Sequence, residues 1–301
     1  MNGLLIRGPD SVSAVNAPVS VRPEFTTIDG LSVRFARSGD TGGAGQDALL
    51  LSPWPESLYA FEQVWSRLSR SARLTAVDPP GFGRSESRDE LRSPRAMGEF
   101  VVRLADALGL ERPHLVGPDI GTASTLFAAA ARPDRFRSVV VGSGAAVVPL
   151  QLTGPLKEWV EAPDLEPYRR IDPRRIVDAA LSTIDGFTPS DGIRDDYHAS
   201  YAGDRFVESM RYARAYPAEL PFLADLLPGI RTPVRIIAGV RDAVVPSVNA
   251  EFLHDRLPDS RLDFIDAGHF CWEERPESYA ELVGDWWTRR SDVLDEEKGR
   301  T

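Results

Sequence analysis

Cysteine is nearly absent. Cys271 is the only one in 301 residues, so no disulfide can form within the chain, which fits a reducing, cytoplasmic setting. Lysine is almost as scarce: only Lys157 and Lys298 occur, and arginine supplies the rest of the 35 basic residues. We read that bias as genome composition rather than chemistry. A formal net charge of −10 argues against a nucleic-acid surface. Long apolar runs are missing as well. The early run Leu4-Leu5-Ile6 is too short for a signal-peptide core, and no stretch reaches the roughly 18 apolar residues that cross a bilayer. Neither a cluster of metal-ligating residues nor a dinucleotide fingerprint is present, so no metal and no cofactor is expected. With 42% hydrophobic and 27% charged residues, the expectation is a soluble globular protein, monomeric or homodimeric, taking a small molecule rather than a nucleic acid or a membrane as partner.

What is there is an alternation of strand and helix patterns. Residues 1–24 lack periodicity and are expected to form a loose arm. Phe25–Arg37 is a hairpin pattern turning at Asp29-Gly30. Short apolar runs at Ala48–Leu51, Leu74–Val77, Leu115–Gly117, Ser138–Gly142, Val234–Ala238 and Leu262–Ile265 alternate with helical periods at Leu58–Arg70, Ala96–Leu108, Thr122–Ala131, Val248–Leu257 and Tyr279–Trp287. Alternating strands and helices imply a mostly parallel sheet with helices on both faces, and the continuous apolar runs fit strands buried on both sides. Residues 147–228 break the rhythm with aromatics, prolines and acids but no buried strand. The expected organisation is an α/β core over 25–146 and 229–290, a helical insertion over 147–228, and a charged tail over 291–301.

Three short segments carry chemistry. Gly117-Pro118-Asp119-Ile120-Gly121 follows a strand and opens a helix. Two glycines around one reactive residue on a strand-to-helix turn are the pattern of a nucleophile elbow, and we expect both glycines to be demanded by the tight turn. The tip residue here is aspartate, favoured as the anion by the helix N-terminus. On its own this segment is equally well a helix cap. The other two segments are Gly239-Val240-Arg241-Asp242 and Gly268-His269-Phe270, each just past a parallel strand, where α/β sheets build their sites. The chain order is nucleophile, acid, histidine, and the three together point to Asp119, Asp242 and His269 as a catalytic set.

These motifs resemble the α/β-hydrolase superfamily over roughly residues 25–290. The aspartate at the elbow resembles the branch that holds epoxide hydrolases and haloalkane or haloacid dehalogenases. The resemblance implies an α/β-hydrolase fold in which 147–228 is a cap. Ser52-Pro53-Trp54-Pro55 is similar to the family's oxyanion loop, usually His-Gly-x-Pro, with Ser52-Pro53 departing from it. The implied oxyanion donors are the backbone N–H groups of Trp54 and Ile120. Epoxide hydrolases place tyrosines in the cap to protonate the leaving oxygen. Tyr212, 30 residues before Asp242, and Tyr168, 49 after Asp119, have similar spacings, and Trp159 is a further pocket candidate. Dehalogenases of this fold usually place tryptophan or arginine after the nucleophile, where Ile120 stands. The expected activity is therefore hydrolysis of an epoxide to a diol through a covalent aspartyl ester. Alternatives are dehalogenation with the same triad, or a non-hydrolytic cyclase, isomerase or small-ligand binder.

Overall fold

The computed structural model describes residues 20–39 and 45–298, so most of the expected N-terminal arm lies outside the described residues. The hairpin forms from β1 (Pro23–Ile28) and β2 (Leu31–Arg37). Its turn is Asp29-Gly30, both at positive φ (51° and 77°), the backbone a tight two-residue hairpin needs. Six further strands follow: β3 (Asp47–Leu51), β4 (Arg73–Val77), β5 (His114–Pro118), β6 (Val139–Gly142), β7 (Val234–Gly239) and β8 (Ser260–Ile265). They form one sheet in the order β1-β2-β4-β3-β5-β6-β7-β8. Strands β3 to β8 run parallel, and β2 meets β4 antiparallel. Every residue of β5, β6 and β7 is buried, as continuous apolar runs require. The edge strand β8 differs, with Phe264 exposed.

Helices α1 (Glu62–Leu68), α2 (Pro94–Ala107) and α3 (Gly121–Ala131) connect the first half. The helical period at Leu58–Arg70 divides into a single 3-10 turn at Leu58–Phe61 and then α1. Ser93 caps α2 as its sequence suggests, accepting from the Ala96 N–H at 3.3 Å, with Pro94 in the first turn.

Between β6 and β7 lie five helices and no strand among the described residues: α4 (Gly154–Glu161), α5 (Pro173–Leu181), α6 (Asp191–Ser200), α7 (Arg205–Ala213) and α8 (Tyr216–Leu226). Polar ties from α6 and α7 hold them to the core. Asp196 receives Arg34 of β2 at 2.8 and 2.9 Å, and Arg205 donates to the Gly83 and Ser85 carbonyls. The chain then returns through α9 (Val248–Arg256), α10 (Cys271–Glu274) and α11 (Pro276–Lys298). This last helix continues through the segment expected to be a tail. No helix among the described residues is long and apolar enough to cross a membrane.

Candidate active site

Strands β5, β7 and β8 are parallel neighbours or near neighbours, so the loops at their carboxyl ends converge on one edge of the sheet. Asp119 sits on the turn from β5 into α3 at φ 52°, a left-handed conformation that aspartate tolerates better than most residues. Its N–H donates to the Gly142 carbonyl at 2.9 Å, and its own carbonyl accepts from Thr122 N–H at 3.0 Å. The two flanking glycines are not equivalent. A Cβ at Gly117 would collide with Thr125 Oγ1 and the Gly121 carbonyl, whereas one at Gly121 would stand 3.6 Å from Leu51 Cβ, an ordinary contact. The expectation that packing demands both glycines is thus corrected: it demands Gly117.

The Asp119 side chain does not cap the helix. It is buried, 5% exposed, and its Oδ2 accepts the Trp54 backbone N–H at 2.7 Å. His269 Nε2 lies 3.5 Å from Asp119 Oδ1, and His269 Nδ1 lies 2.8 Å from Asp242 Oδ2. The other Asp242 oxygen accepts the Val244 and Val245 N–H groups, both at 2.8 Å, which fixes the acid that orients the imidazole. Burial works to lower the His269 pKa, but the Asp242 and Asp119 carboxylates on its two nitrogens outweigh burial and hold it well above the ordinary value. Burial works the other way on Asp242, where the His269 charge and the two N–H donors keep its pKa below the ordinary range.

A cavity of about 170 Å³ opens beside this triad. Asp119 and His269 line it with Trp54, Trp159, Ile176 and Phe270, and Ala179 and Ala180 of α5 add small side chains. The wall is thus mostly apolar, and part of it comes from α4 and α5. Trp54 and Trp159 meet edge-to-face at 5.3 Å, and the Trp54 indole N–H is engaged by Ser209 Oγ at 2.8 Å.

The structure brings together Asp119, Asp242, His269, Trp54 and Trp159. It does not bring the two cap tyrosines to the cavity. The fully buried Tyr212 hydroxyl donates to the Ile120 carbonyl at 3.0 Å, and its ring packs edge-on against Phe82. Tyr168 is half-buried in a 3-10 turn and does not line the cavity either. The expectation that they face the substrate is corrected by the direction in which each side chain leaves its helix. Ile120 is buried behind the elbow, and no hydrogen bond from its N–H to the Asp119 carboxylate is formed among the described residues. Sequence reasoning missed the wall residues Leu156, Ile176, Ala179 and Ala180. Their spacing on α4 and α5 is the ordinary spacing of a packed helix face, so nothing marked them.

Curated relatives of this chain include diverse hydrolases. A 2-hydroxy-6-oxononadienedioate/2-hydroxy-6-oxononatrienedioate hydrolase of Pseudomonas putida is 29% identical over 245 residues, 74% of this chain and 82% of that protein. A 3-oxoadipate enol-lactonase of Acinetobacter baylyi is 25% identical over 222 residues, 71% of this chain and 78% of that protein. Among solved structures, the epoxide hydrolase CorEH superposes with a TM-score of 0.74 at 18% identity, covering 89% of this chain and 99% of that one, a likeness of fold. The family model described as alpha/beta hydrolase fold matches residues 49–276, most of the chain and all three triad positions, and the protein belongs to that family of hydrolases.

Proposed function

We propose that this chain hydrolyses a small apolar electrophile through a covalent ester on Asp119, with an epoxide opening to a diol as the first substrate class. The observation that carries this reading is the elbow residue itself. A carboxylate, with neither hydroxyl nor thiol, occupies the tip at φ 52°, 2.7 Å from the Trp54 N–H and 3.5 Å from His269 Nε2. The N–H on Oδ2 leaves Oδ1 as the attacking atom. Attack on an epoxide carbon forms the Oδ1–C bond and breaks the C–O bond of the ring, and the ring oxygen takes a proton from solvent, balanced when His269 releases its own to solvent. Esterification discharges Asp119, one of the two carboxylates that hold the proton on His269. The imidazole then binds its proton less tightly and can serve as base. His269, held by Asp242, takes a proton from water, and hydroxide attacks the ester carbonyl. The Trp54 N–H stabilises the oxyanion that forms on Oδ2. Collapse expels the diol and restores the carboxylate.

A second reading has one observation in its favour. No tyrosine lines the cavity, and a leaving halide needs no proton, so cleavage of a carbon–halogen bond fits the same triad.

Single turnover in heavy-oxygen water tests the shared mechanism, and styrene oxide and 1-bromohexane test the two substrates. The label is expected in Asp119 and not in the first product; label appearing first in product sinks the ester. His269→Gln is expected to accumulate an adduct, heavier by the mass of styrene oxide or by that of 1-bromohexane less HBr, and Asp119→Ala to form none. Diol from the oxide or halide from the bromide then decides between the readings.

A further inference from the structure

Two buried glutamates that this reaction does not use lie behind Trp54 and His269. Glu56, two residues past Trp54, has no exposed surface, and Glu273 of α10, four past His269, is 3% exposed. Their side chains are within hydrogen-bonding reach of each other, and the buried Tyr197 of α6 stands beside Glu273. Trp272 Nε1 donates to Glu56 Oε2 at 3.2 Å, and the Trp272 ring lies edge-on to His269 at 6.2 Å. Glu56 Oε1, Glu273 Oε2 and the Tyr197 hydroxyl have no hydrogen-bond donor or acceptor paired with them among the described residues.

Several acids face this cluster. Asp119 faces Glu56 from the elbow, and Glu274 faces Glu273 from the same helix. Asp196 of α6 and Asp78, just past β4, face Tyr197, and both are engaged by Arg34. Two ionised carboxylates cannot lie side by side out of water with one indole N–H between them. An acceptor facing an acceptor needs a proton.

We propose that Glu56 and Glu273 are positioning residues that hold a shared proton behind the oxyanion loop, so that the nucleophile's carboxylate has no second, fully ionised pair at its back. Burial, the orphaned oxygens and the Trp272 hydrogen bond carry the pair; its consequence for catalysis rests on reading Asp119 as the nucleophile. Burial is the first cause that keeps protons on the pair. It raises Glu56 well above the usual carboxylate range, with the Glu273 and then the Asp119 charge adding to it, and it pushes Glu273 up to about 7. Linkage runs both ways. The negative charge on Asp119 tightens the hold on the Glu56 proton, so removing that charge must loosen it.

Infrared spectroscopy of the full-length protein reads this without a substrate. At neutral pH, where exposed carboxyls are ionised, the wild type is expected to show the carbonyl stretch of a protonated carboxylic acid. Glu56→Gln and Glu273→Gln should each abolish that band, because the amide N–H replaces the shared proton and lets the remaining carboxylate ionise. Both changes are nearly isosteric, and either one alone decides. Asp119→Asn should lower the pH midpoint of the band, a several-fold weaker hold on the proton. Absence of the band, its persistence in the Gln variants, or an unmoved midpoint in Asp119→Asn overturns the proposal. None of these outcomes depends on ester formation, which the mass measurement on His269→Gln judges separately.

Discussion

The Tyr212 hydroxyl, 3.0 Å from the Ile120 carbonyl, ties the helical insertion to the residue directly after Asp119. Distance along the chain suggested a different task, because spacing from Asp242 sets roughly where a residue falls but not which way its helix face turns. On α7, Phe206 stacks on Trp54 and Ser209 holds the Trp54 indole N–H, while Tyr212, one turn on, reaches past them to the elbow. Tyr212→Phe therefore removes the donor to a buried carbonyl, a loss of about 1–3 kcal/mol, to be read as a lower thermal midpoint. If the hydroxyl serves only the elbow, ester formation from styrene oxide and from 1-bromohexane should slow by the same factor. A selective loss on the oxide would return the phenol to the chemistry.

The elbow is an element that can be read locally, and the triad follows from it. A strand, a turn with glycine at Gly117 and a helix are all encoded within the eighteen residues from His114 to Ala131. The acid and the histidine each sit directly after an apolar run that could only be a parallel strand. The wall of the cavity is legible in no such way. Leu156, Ile176, Ala179 and Ala180 face substrate space with the same residue types that would face a core, and only the packing of α4 and α5 over the sheet edge separates the two. The pairing of Glu56 with Glu273 is equally silent, since it joins residues more than two hundred positions apart. Within the elbow the structure also divides what the sequence pattern merges. Gly117→Ala places a methyl group against Thr125 and the Gly121 carbonyl, and overpacking of this kind costs about 1–3 kcal/mol. Gly121→Ala meets only an ordinary contact with Leu51 in the first turn of α3. Thermal unfolding is expected to show a clear loss for Gly117→Ala and little or none for Gly121→Ala. Equal losses would mean that the turn, rather than the collision at one position, selects both glycines.

At the scale of the molecule, the insertion and the sheet share one buried ionic junction. Arg34 of β2 is 3% exposed and Asp196 of α6 is 8% exposed. The guanidinium grips Asp196 with two nitrogens at 2.8 and 2.9 Å and reaches Asp78 at 3.4 Å, while Ser57 Oγ donates to Asp196 Oδ2 at 2.7 Å. Burial works to lower the Arg34 pKa, but Asp196 and Asp78 outweigh it, so the charge is kept. The α4–α5 side meets the core through Thr153 on the Ala243 carbonyl and through Arg241 and Arg275 on Asp185. Removing one partner of a buried pair strands the other, at a cost of about 3–5 kcal/mol. Asp196→Leu and Arg34→Met are each expected to lower stability on that scale in urea unfolding. The double variant should lose less than the sum of the two, because neither charge is then left buried beside an empty place, and Asp78 keeps the Leu58 and Arg84 N–H donors. A coupling of about 1–3 kcal/mol is expected from the double-mutant cycle. Strictly additive losses would show that Arg34 serves Asp78 and the sheet alone, and that α6 is held to the core by Arg205 and Tyr201 instead.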